Sequence, residues 1–304
     1  MSEAIVLTVI TAATPLLLAA LGELVTERSG VLNLGVEGMM VMGAVVAFLA
    51  AAATGSPALG VVAAGLVGIA MAALFALLAI GLVANQVATG LALTIFGLGL
   101  AGLLGEGLVG QPGIRLEPVA IPGLSAIPII GPILFEQDAL TLLSFALTAA
   151  VSVFLFRTRA GLTLRAVGDR PAAAHALGLP VLKIRVAATL FGGLCAGLAG
   201  AYLTLVYTPQ WVENMTAGRG WIALALVVFA SWRPLRVLAG AYLFGAVTIA
   251  QFHAQALGVD VPSQLLSALP YLATIAVLVI IARNRRSTLI HTPAALGRAF
   301  VPDR

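Results

Sequence analysis

Ionisable and amide side chains are scarce in this sequence, and they gather where the surroundings are apolar. Glu23, Glu27, Arg28, Asn33 and Glu37 crowd into one glycine-rich stretch between two apolar runs. Asn85, Gln86 and Thr94 mark a second polar spot, Glu106 closes the run that follows it, and Arg219 sits in a third with Trp211 and Glu213. A charge at membrane depth is costly and marks a pair, a conduction path or a relay. Two readings follow for Glu37, Glu106 and the Glu27-Arg28 pair. One is interfacial pairing, capping or snorkelling; the other makes Ser29 to Gly38 a gate, because unwound backbone is tolerated where it lines a cavity. Metal chemistry is not supported, since His175, His253 and His291 lie far apart without ligand spacing and Cys195 is the lone cysteine. No GxxxxGK[ST] loop is present, so the chain carries no visible means of hydrolysing ATP and no catalytic residue is assigned.

The elements that must hold these groups are membrane spans. Of 304 residues 61% are hydrophobic and 9% charged, more apolar surface than a soluble core can hide. Runs of about 20 apolar residues are long enough to cross the hydrocarbon of a bilayer. The reading is an all-α polytopic membrane protein with about nine transmembrane helices, between eight and ten, one of them broken or re-entrant. The N-terminus lacks the basic start and cleavage site of a signal peptide and is read as a retained span. The spans are expected at 4–21, 36–53, 58–83, 87–104, 139–156, 186–206, 221–232, 237–252 and 264–282. Residues 1–304 then form one membrane domain: a first helical group (1–108), an external Pro-rich loop (109–137), the fifth span (138–156), a basic loop (157–185), a second group (186–282) and a tail (283–304). Two glycine patterns inside the spans, Gly97 to Gly102 and Gly193 with Gly197, are read as helix packing; the first matches a dinucleotide fingerprint only in letters, because no strand precedes it.

The basic loop carries six of the sixteen Lys and Arg residues against Asp169 alone, and the tail is also strongly basic. Basic residues beside spans stay in the cytoplasm, which places the C-terminus inside, the Pro-rich loop outside and the N-terminus outside, in a plasma membrane. Within that loop Pro171 suits the first turn of a helix, the alanines continue it and Gly178 ends it. A short helix across the membrane surface is expected.

These residues resemble the permease subunits of ATP-binding-cassette importers, in the superfamily of branched-chain amino acid and simple sugar permeases. Within it they look most like the nucleoside-type branch that works with a basic-membrane-lipoprotein receptor. The resemblance rests on ERSGVLNLGVEGMM (Glu27 to Met40), NQVATGLALT (Asn85 to Thr94), LRAVGDRPAAAHALGL (Leu164 to Leu179) and GRGWIALALVVFASWRPL (Gly218 to Leu235), and it spans nearly the whole chain. It implies that Arg170, Pro171, Ala172, Ala173, Ala174 and Gly178 form the coupling helix against an ATPase, with Ala172 where other importers have Glu. It further implies a second permease chain, two cytoplasmic ATPases that use ATP and Mg, and an external substrate-binding lipoprotein; no cofactor and no nucleic acid are implied for this chain. The expected function is import of nucleosides by alternating access, with Asn33, Glu37, Asn85, Gln86, Thr94 and Arg219 on the path or gate, and Phe96, Trp211 or Trp221 available to stack on a base. Simple sugars as cargo, or an ion-coupled secondary transporter using Glu37 or Glu106, are the alternatives. The Pro-rich loop and Gln210 to Arg219 are the expected receptor-docking surfaces.

Overall fold

The structure is a computed structural model that describes residues 2–120, 125, 130–256, 268, 269, 272, 273, 276 and 292–302. Among the described residues, seven helices are long and apolar enough to cross a membrane. They are α1 (Ser2–Arg28), α2 (Val36–Thr54), α3 (Pro57–Ala76), α4 (Gln86–Gly105), α6 (Ala139–Arg157), α9 (Val181–Tyr202) and α11 (Pro234–Ala256). Both α3 and α9 run on into a π turn, at Leu77–Gly81 and Leu203–Tyr207. Shorter pieces complete the set: α5 (Ile130–Phe135), α7 (Arg159–Asp169), α8 (Pro171–Ala176) and α10 (Arg219–Phe229). An antiparallel pair of two-residue strands, β1 (Val119–Ala120) and β2 (Glu136–Gln137), ties the Pro-rich loop to itself.

Small residues decide which helices touch. On α9, a methyl group at Gly193 or Gly197 would run into the Gly68 and Ala64 carbonyls of α3, and one at Gly200 into the Met40 carbonyl of α2. At Gly192 it would meet the Thr26 hydroxyl of α1. So α9 is the central post against which α1, α2 and α3 lean backbone to backbone. The gain is dispersion, because lipid is as apolar as the helices themselves. The Gly97 pattern serves packing at one position only: Gly97 abuts Gly38 of α2, while nothing approaches Gly99.

Caps mark where the helices begin. Ser56 accepts from the Leu59 amide ahead of α3, Asn85 from the Ala88 amide ahead of α4, and Asp138 from the Leu140 and Thr141 amides ahead of α6. The Pro-rich loop is pinned onto the end of α9, with the Leu116 amide donating to the Leu205 carbonyl at 2.9 Å and Gly113 to Pro209 at 3.2 Å.

Three expectations change. The first helix does not stop at Leu21; it continues through Glu23 and Glu27 to Arg28, because both carboxylates find partners on neighbouring segments without unwinding the helix. The interruption is confined to 29–35. The central loop holds two helices rather than one: Thr158 caps α7 through the Gly161 amide at 3.0 Å, and α7 buries Leu164 and Val167 before α8 begins. The seventh segment runs Arg219–Phe229 rather than 221–232, 11 residues and about 16 Å of helix, about half the thickness of a bilayer's hydrocarbon. The ninth expected span, 264–282, lies outside the described residues apart from isolated positions.

Candidate functional site

After Arg28 the chain turns at Gly30, whose φ of +89° favours glycine, and doubles back along α1. The Asn33 amide donates to Glu23 Oε1 at 3.3 Å, ten residues back. The Leu32 amide donates to Gln86 Oε1 at 2.8 Å, and the Thr94 hydroxyl donates to the Leu34 carbonyl at 3.0 Å. Asn33 Oδ1 then takes the Gly35 amide at 2.9 Å. Every one of these bonds replaces a helical one that the break has given up, as buried backbone demands. Gly90 and Gly38 let the segment press directly on α4, against Leu34 and Thr94 respectively. Thr94 lies about 12 Å along α4 from Gln86, so α2 starts at the depth of the middle of α4.

A second unwound segment reaches the same depth from the other side. From Thr208 to Gly218 the chain leaves α9 in turns, and Trp211 is buried against Gly105 near the far end of α4. At Gly218 helix α10 begins, and its first amides point at Glu37. The carboxylate accepts from Gly218 N at 2.8 Å through Oε1 and from Gly220 N at 2.6 Å through Oε2. Glu37 also occupies the first turn of α2. One buried carboxylate, 2% exposed, therefore faces the positive N-terminal ends of two helices. Gly220 is what allows the approach, since a Cβ there would lie 2.6 Å from the Glu37 backbone. Arg219 does not pair with Glu37; its guanidinium donates to the Met215 carbonyl at 2.9 Å and lies over the Tyr207 ring at 5.3 Å.

The other end of α10 is fastened to the end of α1. Ser231 and Trp232 both adopt left-handed backbone, φ +50° and +53°, a conformation that costs roughly 1–2 kcal/mol per residue. The turn delivers Trp232 Nε1 to Glu27 Oε2 at 2.5 Å, and the Arg28 guanidinium donates to the Trp232 carbonyl at 3.0 Å. Arg28 and Arg165 share the Phe156 ring. Glu23 Oε2 and Glu27 Oε1 are buried without a hydrogen-bond partner among the described residues.

Of the residues singled out for the path, Asn33, Glu37, Gln86 and Thr94 come together around the break, all buried, with Arg219 at its margin. Asn85 does not join them; it is an exposed helix cap. Glu106 is exposed in the 3-10 turn after α4. Trp211 is buried against Gly105, whereas Phe96 and Trp221 are about half exposed. Glu23, Trp232 and the Gly218 and Gly220 amides were not foreseen as part of the site. Glu23 was visible as an acid in an apolar run, but its carboxylate meets Asn33 only because the break folds back.

In the basic loop Pro171 opens α8 at its first position and Gly178, φ +81°, ends it. Arg170, Ala172, Ala173 and Gly178 are exposed, while Ala174 is buried with Val167 and Val181. Leu177 stands 81% exposed at the tip, an unusual position for a large apolar side chain.

Residues 5–282 match the family model described as branched-chain amino acid transport system / permease component. TsgC13 of Haloferax volcanii, provisionally named a glucose ABC transporter permease, is 42% identical over 95% of this chain and 94% of its own. NupQ of Bacillus subtilis, a guanosine ABC transporter permease, is 33% identical over 86% of this chain and 87% of its own. NupC of Lactococcus lactis, a nucleoside ABC transporter permease, is 33% identical over 87% and 88%. No solved structure gives a significant match. With the matched region covering nearly every described helix, the chain belongs to the branched-chain amino acid transport system permease family, the membrane-spanning components of ATP-binding-cassette importers.

Proposed function

We propose that this importer permease carries a neutral, polyhydroxylated small molecule, a monosaccharide, into the cytoplasm by alternating access. The observation that carries the reading is the meeting of two unwound segments at Glu37, where α2 and α10 both begin partway along α4 and bring backbone amides, carbonyls and the side chains of Asn33, Gln86 and Thr94 into one seam. Discontinuous helices of this kind surround the substrate routes of transporters. Hydroxyl-rich cargo suits amide and hydroxyl partners set among apolar walls. The sugar is favoured because the relative named for glucose transport is 42% identical and those named for nucleosides 33%.

Force enters at α8. Its exposed face, Arg170, Ala172, Ala173, Leu177 and Gly178, is the surface offered to an ATPase subunit, and family membership implies such a subunit together with an external substrate receptor. ATP binding and hydrolysis there rock α6 and α9, the two spans that flank the loop. A second permease chain completes the path, and the Pro-rich loop together with the exposed part of Gln210 to Arg219 forms the receptor's landing surface on the outer face.

The test is uptake of labelled glucose by membrane vesicles that contain the full importer, challenged with unlabelled hexoses, pentoses, guanosine and adenosine. Competition by the sugars alone is the expected result. Competition by the nucleosides alone would instead establish the second reading, which the two nucleoside permease relatives and the Asn85 to Thr94 stretch favour.

A further inference from the structure

The basic tail had no role beyond topology, yet its described part, residues 292–302, lies folded against three elements of the cytoplasmic face. The Gly297 amide donates to the Gly30 carbonyl, inside the broken segment, at 3.1 Å. The Ala295 amide donates to the Gly168 carbonyl of α7 at 2.9 Å, and Ala295 is 5% exposed. Phe300 packs into the small apolar cluster of Val167, Ala174 and Val181, with its ring edge-on to His175 of α8 at 5.6 Å between centroids. Leu296 packs against the main core.

One side chain pins the arrangement. Arg185, near the start of α9 and 2% exposed, donates through Nε to the Ser29 carbonyl at 3.2 Å and through Nη1 to the Arg298 carbonyl at 2.9 Å. A single planar guanidinium therefore bridges the broken segment and the tail, a two-armed contact that a lysine ammonium cannot reproduce in the same geometry. Its Nη2 is buried beside Gly30 with no hydrogen-bond partner among the described residues. Buried guanidinium groups are not held this way without a structural reason.

We infer that residues 292–302 form a strap, pinned by Arg185, that makes the ATPase-facing helix α8 and the interruption at 29–35 move as one body. The route runs from α8 through Phe300 and the Arg298 carbonyl to Arg185, and from there to Ser29; the Gly297 to Gly30 bond runs parallel to it. Without the strap, α7 still meets the end of α1 and the break where Gly168 backs onto the Arg28 carbonyl and the Gly30 amide, but α8 itself has no hydrogen bond to the break among the described residues. Displacement of α8 would then be taken up by the loop rather than passed to the seam around Glu37. This inference rests on the reading of α8 as the ATPase contact and adds how motion there reaches the gate.

The experiment purifies the importer complex from its own membranes with the permease intact, truncated after Arg286, or carrying Arg185→Lys or Phe300→Ala. ATP hydrolysis and glucose uptake are measured together in proteoliposomes, with amide exchange at Gly30 and Leu32. The strap predicts that all variants retain the ATPase subunit and hydrolyse ATP, that molecules carried per ATP fall at least tenfold on truncation and severalfold for each substitution, and that exchange at Gly30 and Leu32 rises. The substitutions serve if the truncated chain does not assemble. Unchanged transport per ATP in the substituted complexes would overturn the strap, as would loss of the ATPase subunit on truncation, since the tail would then be part of the docking surface itself. Failure of the underlying α8 reading shows differently: Leu177→Asp would leave the ATPase bound in the intact chain.

Discussion

Replacing Glu37 probes the joint between the two unwound segments, and the structure sets the size of the effect. The carboxylate accepts two backbone amides, Gly218 at 2.8 Å and Gly220 at 2.6 Å, while 98% of its own surface is out of contact with solvent. Hydrogen bonds to a charged acceptor contribute about 1.5–3 kcal/mol each, and a buried amide left without a partner costs about 1–3 kcal/mol. Glu37→Ala abandons both amides, so a loss of about 3–5 kcal/mol of unfolding free energy is expected. Glu37→Gln keeps one acceptor oxygen and turns an NH2 toward the other amide, which places its loss at about 2 kcal/mol. Glu37→Asp withdraws the oxygens by one methylene and falls between the two. The assay is denaturant-induced unfolding of the purified chain in detergent, read against an exposed control such as Glu106→Gln, for which a change under about 0.5 kcal/mol is expected. Transport should fall with stability in the series, because the seam must hold α10 against α2 while the spans rock. A Glu37→Gln chain as stable as the parent, with unchanged uptake, would refute the idea that this carboxylate fastens α10.

Three further perturbations test other parts of the account. Leu177→Asp exchanges the exposed apolar tip of the loop for a charge and is expected to weaken co-purification of the ATPase at least tenfold while leaving membrane insertion and folding unaltered. Trp232→Phe removes the donor to Glu27 and leaves a buried carboxylate oxygen bare, which should lower unfolding free energy by about 1–3 kcal/mol; a change below 0.5 kcal/mol would contradict the bond. Gly197→Val drives a branched side chain into the Ala64 carbonyl of α3, so that the chain should unfold at markedly lower denaturant, whereas Gly99→Val, where nothing lies within 4 Å, should not.

Seven spans were legible because lipid imposes a simple rule: long apolar runs, with glycines where helices touch. The short helix α8 was legible for local reasons, with proline at its first turn and glycine after its last. What the sequence could not disclose are contacts made between segments far apart in the chain. Glu23 and Glu27 looked as though they should break α1, because nothing local can satisfy a carboxylate in a membrane helix; Asn33 and Trp232 each donate one hydrogen bond to them, from ten and about two hundred residues away. Glu37 reads as a pathway or coupling carboxylate, and the sequence did not disclose that it accepts two amides of a helix whose start, at Gly218, carries no signal beyond a pair of glycines. Asn85 misled in the opposite direction, since a polar residue before an apolar run reads equally as a cap or a ligand, and here it caps. The glycines at 38, 90 and 97 held the missing information, because their spacing on α2 and α4 marks the face on which the break would press, but recognising it requires knowing that those two helices meet.

The central claim is that this chain passes its cargo only when an ATPase works on its cytoplasmic loop. Its most direct measurement is uptake into proteoliposomes holding the complete importer, with ATP supplied on the ATPase side and pH and sodium gradients imposed separately. Uptake that requires ATP and ignores both gradients is the expected result; uptake that proceeds without ATP and follows an imposed gradient would contradict the account at its root.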